Sequence, residues 1–125
     1  MVDINKDPAI RVLMMPRDTN YHGTIFGGVI LSHIDQAGAI GAIRRGCRKV
    51  VTVTMDEVVF HKPVNVGDVV SYYADVCRVG RTSITMCVTV EVTHRDGGTD
   101  KVTQANVTYV NVDDDRKPIP VPDEG

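Results

Sequence analysis

Between Gly27 and Arg45 the apolar side chains fall at Val29, Ile30, Leu31, Ile34, Ala37, Ala39, Ile40, Ala42 and Ile43, which covers more than one face of a helix. A helix apolar over so much of its surface is a buried one. Gly38 and Gly41 inside it cost about 1 kcal/mol each relative to alanine, so something packs very close there. Arg44 and Arg45 suit the negative C-terminal end, and Gly46 suits the stop. Before the helix, Ala9 to Met15 reads as a short strand halted by Pro16. The stretch Arg17 to Thr24 has no apolar period and reads as loop.

After Gly46 the pattern turns to strands. Val50 to His61 is β-rich and ends at Lys62-Pro63, Asn65 to Asp68 is a turn, and Val69 to Val79 is the next strand. Gly80 breaks the pattern before the clearest period-2 run in the chain. There Ile84, Met86, Val88, Val90 and Val92 face one way, while Ser83, Thr85, Thr89, Glu91 and Thr93 face the other. Asp96-Gly97-Gly98 makes a hairpin turn, Val102 to Val112 is the last strand, and Asp113 to Gly125 reads as a flexible surface tail.

The order is strand, one long helix, then four antiparallel strands. One apolar helix buries several faces only if a sheet curves around it, and strands longer than the usual ~5–6 residues suit that role. The expected fold class is α+β, a central helix wrapped by a curved antiparallel sheet of about five strands. Such a sheet leaves open edges, which edge-to-edge dimerisation would cover.

Composition narrows the function. The chain has 125 residues, 42% hydrophobic and 24% charged, with a net charge of −2, which fits one domain over residues 1–125 and excludes wholesale disorder. A near-neutral balance lacks the basic stripe that a nucleic-acid partner needs. No apolar run approaches the ~18 residues of a membrane span. The first eight residues lack the apolar segment of a secretory signal, and the expected compartment is the cytoplasm. Three cysteines, an odd number without metal-ligand spacing, agree with that. Cys77 and Cys87, inside strand patterns, read as buried structural thiols. Cys47 lies beside Arg45 and Arg48, which would lower its pKa.

Asp35 is the residue that most needs explaining. It interrupts an apolar helix, where a carboxylate is expensive unless paired, hydrated or functional. Upstream, Gly23-Thr24-Ile25-Phe26-Gly27-Gly28 runs straight into the helix start. Glycines there leave backbone N–H groups bare at the positive end of the helix, an arrangement that can serve as an oxyanion hole, although a tight turn alone would use the same residues. Gly27 and Asp35 lie eight positions apart, about 12 Å along one helix. Both serve one reacting carbon only if two antiparallel helices of a symmetric dimer bring Gly27 of one chain beside Asp35 of the other. No pair of histidines has metal-ligand spacing, and His33 and His94 read as solvent-facing.

The run Asp18-Thr19-Asn20, Gly23, Phe26-Gly27-Gly28 and then Asp35 resembles the hot-dog-fold acyl-CoA thioesterases of the YciA type. Val58-Val59-Phe60, Lys62-Pro63-Val64, Val66-Gly67-Asp68 and Val79-Gly80-Arg81-Thr82-Ser83-Ile84 match the same family in the same order. The resemblance runs from about Leu13 to the end of the last strand. It implies hydrolysis of acyl-CoA to free CoA and a carboxylic acid, with CoA as part of the substrate and no separate cofactor. It implies that Asp35 is the catalytic carboxylate, as base on water or as nucleophile. Gly27 would give its N–H to the thioester oxygen, Gly28 would support the turn, and Asn20 would place the water or the carbonyl. Phe26 stands where many hot-dog relatives carry a histidine.

The resemblance puts the Gly80-Arg81-Thr82-Ser83 turn against the CoA moiety. The anionic phosphates of CoA make Arg81 and Lys62, before Pro63, candidate contacts, and His22 and Phe26 are further candidates because they lie beside the glycines. Met14, Met55, Tyr72 and Met86 are candidates to line or fill the acyl pocket. Self-association as a dimer, and as a trimer of dimers, is the implied assembly. A dehydratase of the same fold would need a histidine at the helix entry, where Phe26 stands. A non-catalytic acyl-CoA sensor remains the alternative, and it would have no need of Asp35.

Overall fold

The computed structural model describes residues 7–123. Five strands, β1 (Ile10–Leu13), β2 (Val50–Met55), β3 (Val69–Val79), β4 (Ser83–Thr93) and β5 (Thr99–Asn111), form one antiparallel sheet in the order β1-β3-β4-β5-β2. Helix α1 (Gly27–Arg45) packs on one face of it, which is the expected α+β architecture with the expected helix bounds. A short 3-10 turn occupies Pro16–Asp18.

The alternation of β4 decides the core. Ile84, Met86, Val88, Val90 and Val92 are fully buried and meet Val102, Ala105, Val107 and Tyr109 of β5 and Ile30, Ile34, Ala37 and Ala42 of α1. Met14, Tyr72 and Met86 are also core, so they fill the interior; Met55 is only partly buried beside it. The helix glycines face this packing. A Cβ on Gly41 would come within 2.7 Å of Met86 Cε and 2.8 Å of Ala74 Cβ, so the methyl that would favour the helix has no room.

Burial of the helix is one-sided. Ser32, Gln36, Ile43 and Arg44 are exposed, and Val29, Leu31, Ala39 and Ile40 are only half-buried. The sheet curls around one side of the helix, as expected of a helix wrapped by a curved sheet, and leaves apolar positions over on the other side. Three boundaries also differ. β1 is shorter than the Ala9–Met15 run. β2 stops at Met55 instead of His61; the chain beyond it follows β5 through Asp56 N–H to Asn106 C=O and His61 N–H to Val102 C=O without a regular ladder. β5 begins at Thr99, three residues before Val102.

The segment from Asp113, expected as a flexible tail, doubles back through Asp113 and Lys117 and docks. Ile119 N–H donates to Asn111 C=O, Val121 N–H donates to Arg81 C=O, and Val121 is buried. Arg45 Nη1 holds Pro122 C=O at 2.8 Å.

The cysteines depart from expectation. Cys47 is buried, and burial pushes its thiol up against the smaller lowering effect of Arg45. Cys77 is exposed, beside a β-bulge between Val76 and Arg78, and Cys87 is half-buried. His33 and His94 are both partly covered. His33 Nδ1 lies 2.9 Å from Val29 C=O and its ring packs on Tyr72.

His94 bridges Asp100 (2.9 Å) and the buried Asp68 (3.3 Å) beside the β4–β5 hairpin. The hydrogen bond to Asp100 raises the imidazole above its ordinary value against the opposing effect of burial, and Asp68 adds to the rise. A raised folded pKa stabilises fully below the unfolded imidazole value of about 6.5 and fades as pH rises through the folded one. His94→Gln is therefore expected to lower the Tm more at pH 5.5 than at pH 8.5. A deficit that grows with pH in thermal melts would contradict the bridge.

Candidate active site

The loop before the helix is folded by Asn20. Its Oδ1 accepts from His22 N–H (2.9 Å) and Thr24 N–H (3.3 Å), and its Nδ2 donates to Thr24 Oγ1 at 3.1 Å. The amide that the resemblance assigns to water or carbonyl thus spends these bonds on its own turn. Ile25 N–H to Val64 C=O and Phe26 N–H to Asp18 C=O pin the exit, so the chain enters the helix at a fixed angle. Phe26 is the cap residue and offers no side-chain acceptor.

Two bare donors result. Gly27 and Gly28 occupy the first turn, where N–H groups have no intrahelical partner, and neither makes a hydrogen bond among the described residues. A Cβ on Gly28 would lie 2.5 Å from Cε2 of the exposed Phe26 ring, which would have to turn aside. A Cβ on Gly27 would touch Phe60 at an ordinary 3.4 Å. Beside Gly27 opens a cavity of about 160 Å³ floored by Ile25 and Ile30 and walled by Phe60, Pro63 and Lys62. Lys62 and Pro63 thus join Gly27 and the helix N-terminus in one place. His22 is exposed on the loop, its ring packed against the exposed Tyr21.

Asp35 sits mid-helix on the flank facing β2. It is half-exposed, which corrects the picture of a buried carboxylate within one chain. Thr52 Oγ1 donates to its Oδ1 at 2.7 Å, and the Tyr109 hydroxyl donates to its backbone carbonyl at 2.6 Å. Neither residue was singled out by the sequence, because both contacts are long-range. The β-bulge between Thr52 and Thr54 is the local irregularity that accompanies this aim.

The turn Gly80-Arg81-Thr82-Ser83 lies elsewhere. Gly80 N–H donates to Ser83 C=O, and a Cβ on Gly80 would strike Ser83 Oγ at 2.6 Å. Arg81 C=O accepts from Val121 while Arg45, the last residue of the helix, holds Pro122, so this turn neighbours the helix C-terminus. Gly27 is about 27 Å away at the other end of the same helix. One chain therefore presents three separate pieces: bare N–H groups with a cavity, a held carboxylate, and a turn carrying Arg81.

The open flank between them is apolar. β2 is an edge strand, reads Val-Val-Thr-Val-Thr-Met with no charge, and exposes Val51 (45%) and Val53 (56%). Edge strands of monomers are normally protected by charge, proline or bulges against pairing with another chain.

The family model described as Thioesterase superfamily matches residues 22–100, which takes in the glycines, Asp35, Thr52 and Arg81. The acyl-CoA thioester hydrolase YciA of Salmonella typhimurium is 43% identical over 120 residues, covering 93% of this chain and 90% of that protein. The chain belongs to the thioesterase superfamily, among the YciA-type acyl-CoA thioester hydrolases. The solved structure of the hexameric thioesterase y2039 from Yersinia pestis superposes on this hydrolase with a TM-score of 0.89 at 44% identity, covering 95% of this chain and 98% of the other. The acyl-CoA hydrolase from Staphylococcus aureus, solved with butyryl coenzyme A and coenzyme A, superposes with a TM-score of 0.83 at 34% identity, covering 90% and 70%. The hexameric hotdog fold thioesterase Cj0915 of Campylobacter jejuni superposes with a TM-score of 0.86 at 45% identity, covering 96% and 93%, and this YciA-type chain has the hot-dog fold.

Among the described residues no helix is long and apolar enough to cross a membrane, and no group of three or more His, Cys, Asp or Glu side chains is placed to hold a metal ion.

Proposed function

We propose that this chain hydrolyses acyl-CoA thioesters in a site assembled from two subunits. The observation that carries the reading is the separation of the bare Gly27 N–H from the Asp35 carboxylate along one helix, beside an apolar edge strand without a partner. Pairing the β2 edges of two copies about a two-fold axis lays the helices antiparallel. That places Gly27 and its cavity against Asp35 of the second copy, and the Arg81 turn of that copy near the mouth. The hexameric neighbours support self-association, and a trimer of dimers is the assembly we favour.

In this scheme the thioester oxygen accepts the Gly27 N–H at the positive end of the helix, which stabilises the tetrahedral oxyanion. Asp35 Oδ2, the oxygen not held by Thr52, takes a proton from water as the water oxygen bonds to the carbonyl carbon. Collapse breaks the C–S bond, the CoA sulfur leaves and is protonated, and the carboxylic acid remains. Direct attack by the same carboxylate, through a mixed anhydride that water then opens, uses the same groups. Asn20 fixes the loop that delivers Gly27, and Phe26 with Gly28 sets the entry angle. Lys62, Pro63 and His22 border the acyl-CoA path, and Arg81 with Thr82 and Ser83 meets the CoA phosphates. A thioester is reactive enough that no metal or cofactor enters the scheme. The cytoplasm, where acyl-CoA is made and used, is the proposed compartment.

Release of free thiol from a panel of acyl-CoAs of increasing chain length tests the activity. Turnover on at least one chain length is expected. Tight acyl-CoA binding with no thiol release on any of them would replace this reading with that of a sensor.

A further inference from the structure

We propose that Tyr109 is a positioning residue for Asp35: its hydroxyl, seated against the helix in the space that Gly38 leaves open, holds the Asp35 carbonyl while Thr52, directly opposite on β2, holds the carboxylate. The inference rests on the reading of Asp35 as the catalytic carboxylate.

A buried tyrosine needs a partner for its hydroxyl, and most partners would satisfy it. Three observations favour a more specific role. The acceptor, at 2.6 Å, is the backbone carbonyl of Asp35 itself. That carbonyl is in the helix interior, and the backbone N–H of Ala39, four residues on, reaches the same hydroxyl, so Tyr109 engages one turn of the helix at Asp35 rather than a frayed end. The second observation is Gly38. A Cβ there would collide with the Tyr109 hydroxyl and lie 2.9 Å from its Cζ and 3.0 Å from its Cε1. The helix thus gives up about 1 kcal/mol of propensity at this position, and the hydroxyl occupies the opening.

The third is register. Thr52 and Tyr109 are direct partners across β2 and β5, which puts both side chains on one face of the sheet. One holds the main chain of Asp35 and the other its Oδ1. With both ends held, the remaining freedom of the side chain is small, and Oδ2 is left pointing to its reaction partner. Burial, and then the charge of Asp35, push the phenol's ionisation up, so Tyr109 stays a donor throughout the working pH range.

The test compares Tyr109→Phe with Asp35→Ala and wild type in steady-state thiol release, with thermal melts alongside. Tyr109→Phe keeps the ring in the core and is expected to lower kcat about tenfold with KM within about twofold, the signature of a misplaced reacting group rather than a lost binding contact. Gly38→Ala, which displaces the phenol with the hydroxyl still present, should lower kcat in the same way. The double variant should recover part of the Tm lost by Gly38→Ala, because the nearest colliding atom is gone, while kcat stays low. If Tyr109→Phe does not fold, Gly38→Ala alone decides by its kcat. A kcat within twofold of wild type in the deciding variant, with Asp35→Ala inactive, overturns the role of Tyr109 alone. Full activity in Asp35→Ala instead overturns the reading of Asp35 on which it rests.

Discussion

Asp35→Ala is expected to lose at least about a thousandfold in kcat while melting as a folded protein, the upper part of the range for removing a positioned acid–base group. The fold should survive for local reasons. Asp35 is half-exposed, the bond from the core residue Tyr109 goes to its backbone carbonyl and so survives truncation, and alanine is the better helix former at a mid-helix position. The bond from Thr52 is lost, but that hydroxyl can turn to water at an exposed strand position. Thiol release measured on the most rapidly cleaved acyl-CoA, beside a melt, separates loss of chemistry from loss of structure. A folded variant with the wild-type rate would remove Asp35 from the mechanism.

Gly27 offers a sharper test of a backbone donor than most oxyanion sites do. Gly27→Pro deletes the N–H at the first helical position, where proline is favoured because its fixed φ suits the helix. The residue before it, Phe26, already has φ −63° and ψ 128°, the extended geometry that a following proline requires. A Cβ at this position meets only Phe60 at an ordinary distance. The expected loss is about 10²–10³ in kcat for Gly27→Pro. Gly27→Ala, which keeps the N–H, is expected to stay within about tenfold of wild type. Equal losses in the two would show that the glycine serves space alone.

What the sequence disclosed follows from how local each feature is. The helix was readable because its apolar density, paired arginines and Gly46 are all consecutive, and β4 because eleven residues alternate without a break. The helix glycines announced close packing, and the structure supplied Met86, Ala74 and Tyr109 as the reason. Cys87 has the same parity as Thr85 and Thr89 and so faces outward, which the alternation itself implied. Cys77 was hidden by the bulge beside it, since an extra residue breaks the period-2 rule. The docked segment after Asp113 was unreadable for a different reason. Its bonds reach Arg81, Asn111 and Arg45, and prolines among charges look the same whether or not such partners exist. Likewise, the family motifs pointed to Gly27 and Asp35, but nothing in the spacing could place Thr52 or Tyr109 on Asp35 across 17 and 74 residues.

The central claim is that Gly27 and Asp35 of different subunits form one site, and complementation tests it most directly. Asp35→Ala and Gly27→Pro chains, each inactive alone, are co-expressed or unfolded together and refolded. In a mixed dimer one site draws an intact Gly27 from one chain and an intact Asp35 from the other, while the second site lacks both. Random pairing then makes half the dimers mixed, with one working site in each, and about a quarter of wild-type thiol release is the predicted result. Activity no higher than that of the separate variants, in a preparation shown to contain mixed dimers, would contradict a site shared between subunits.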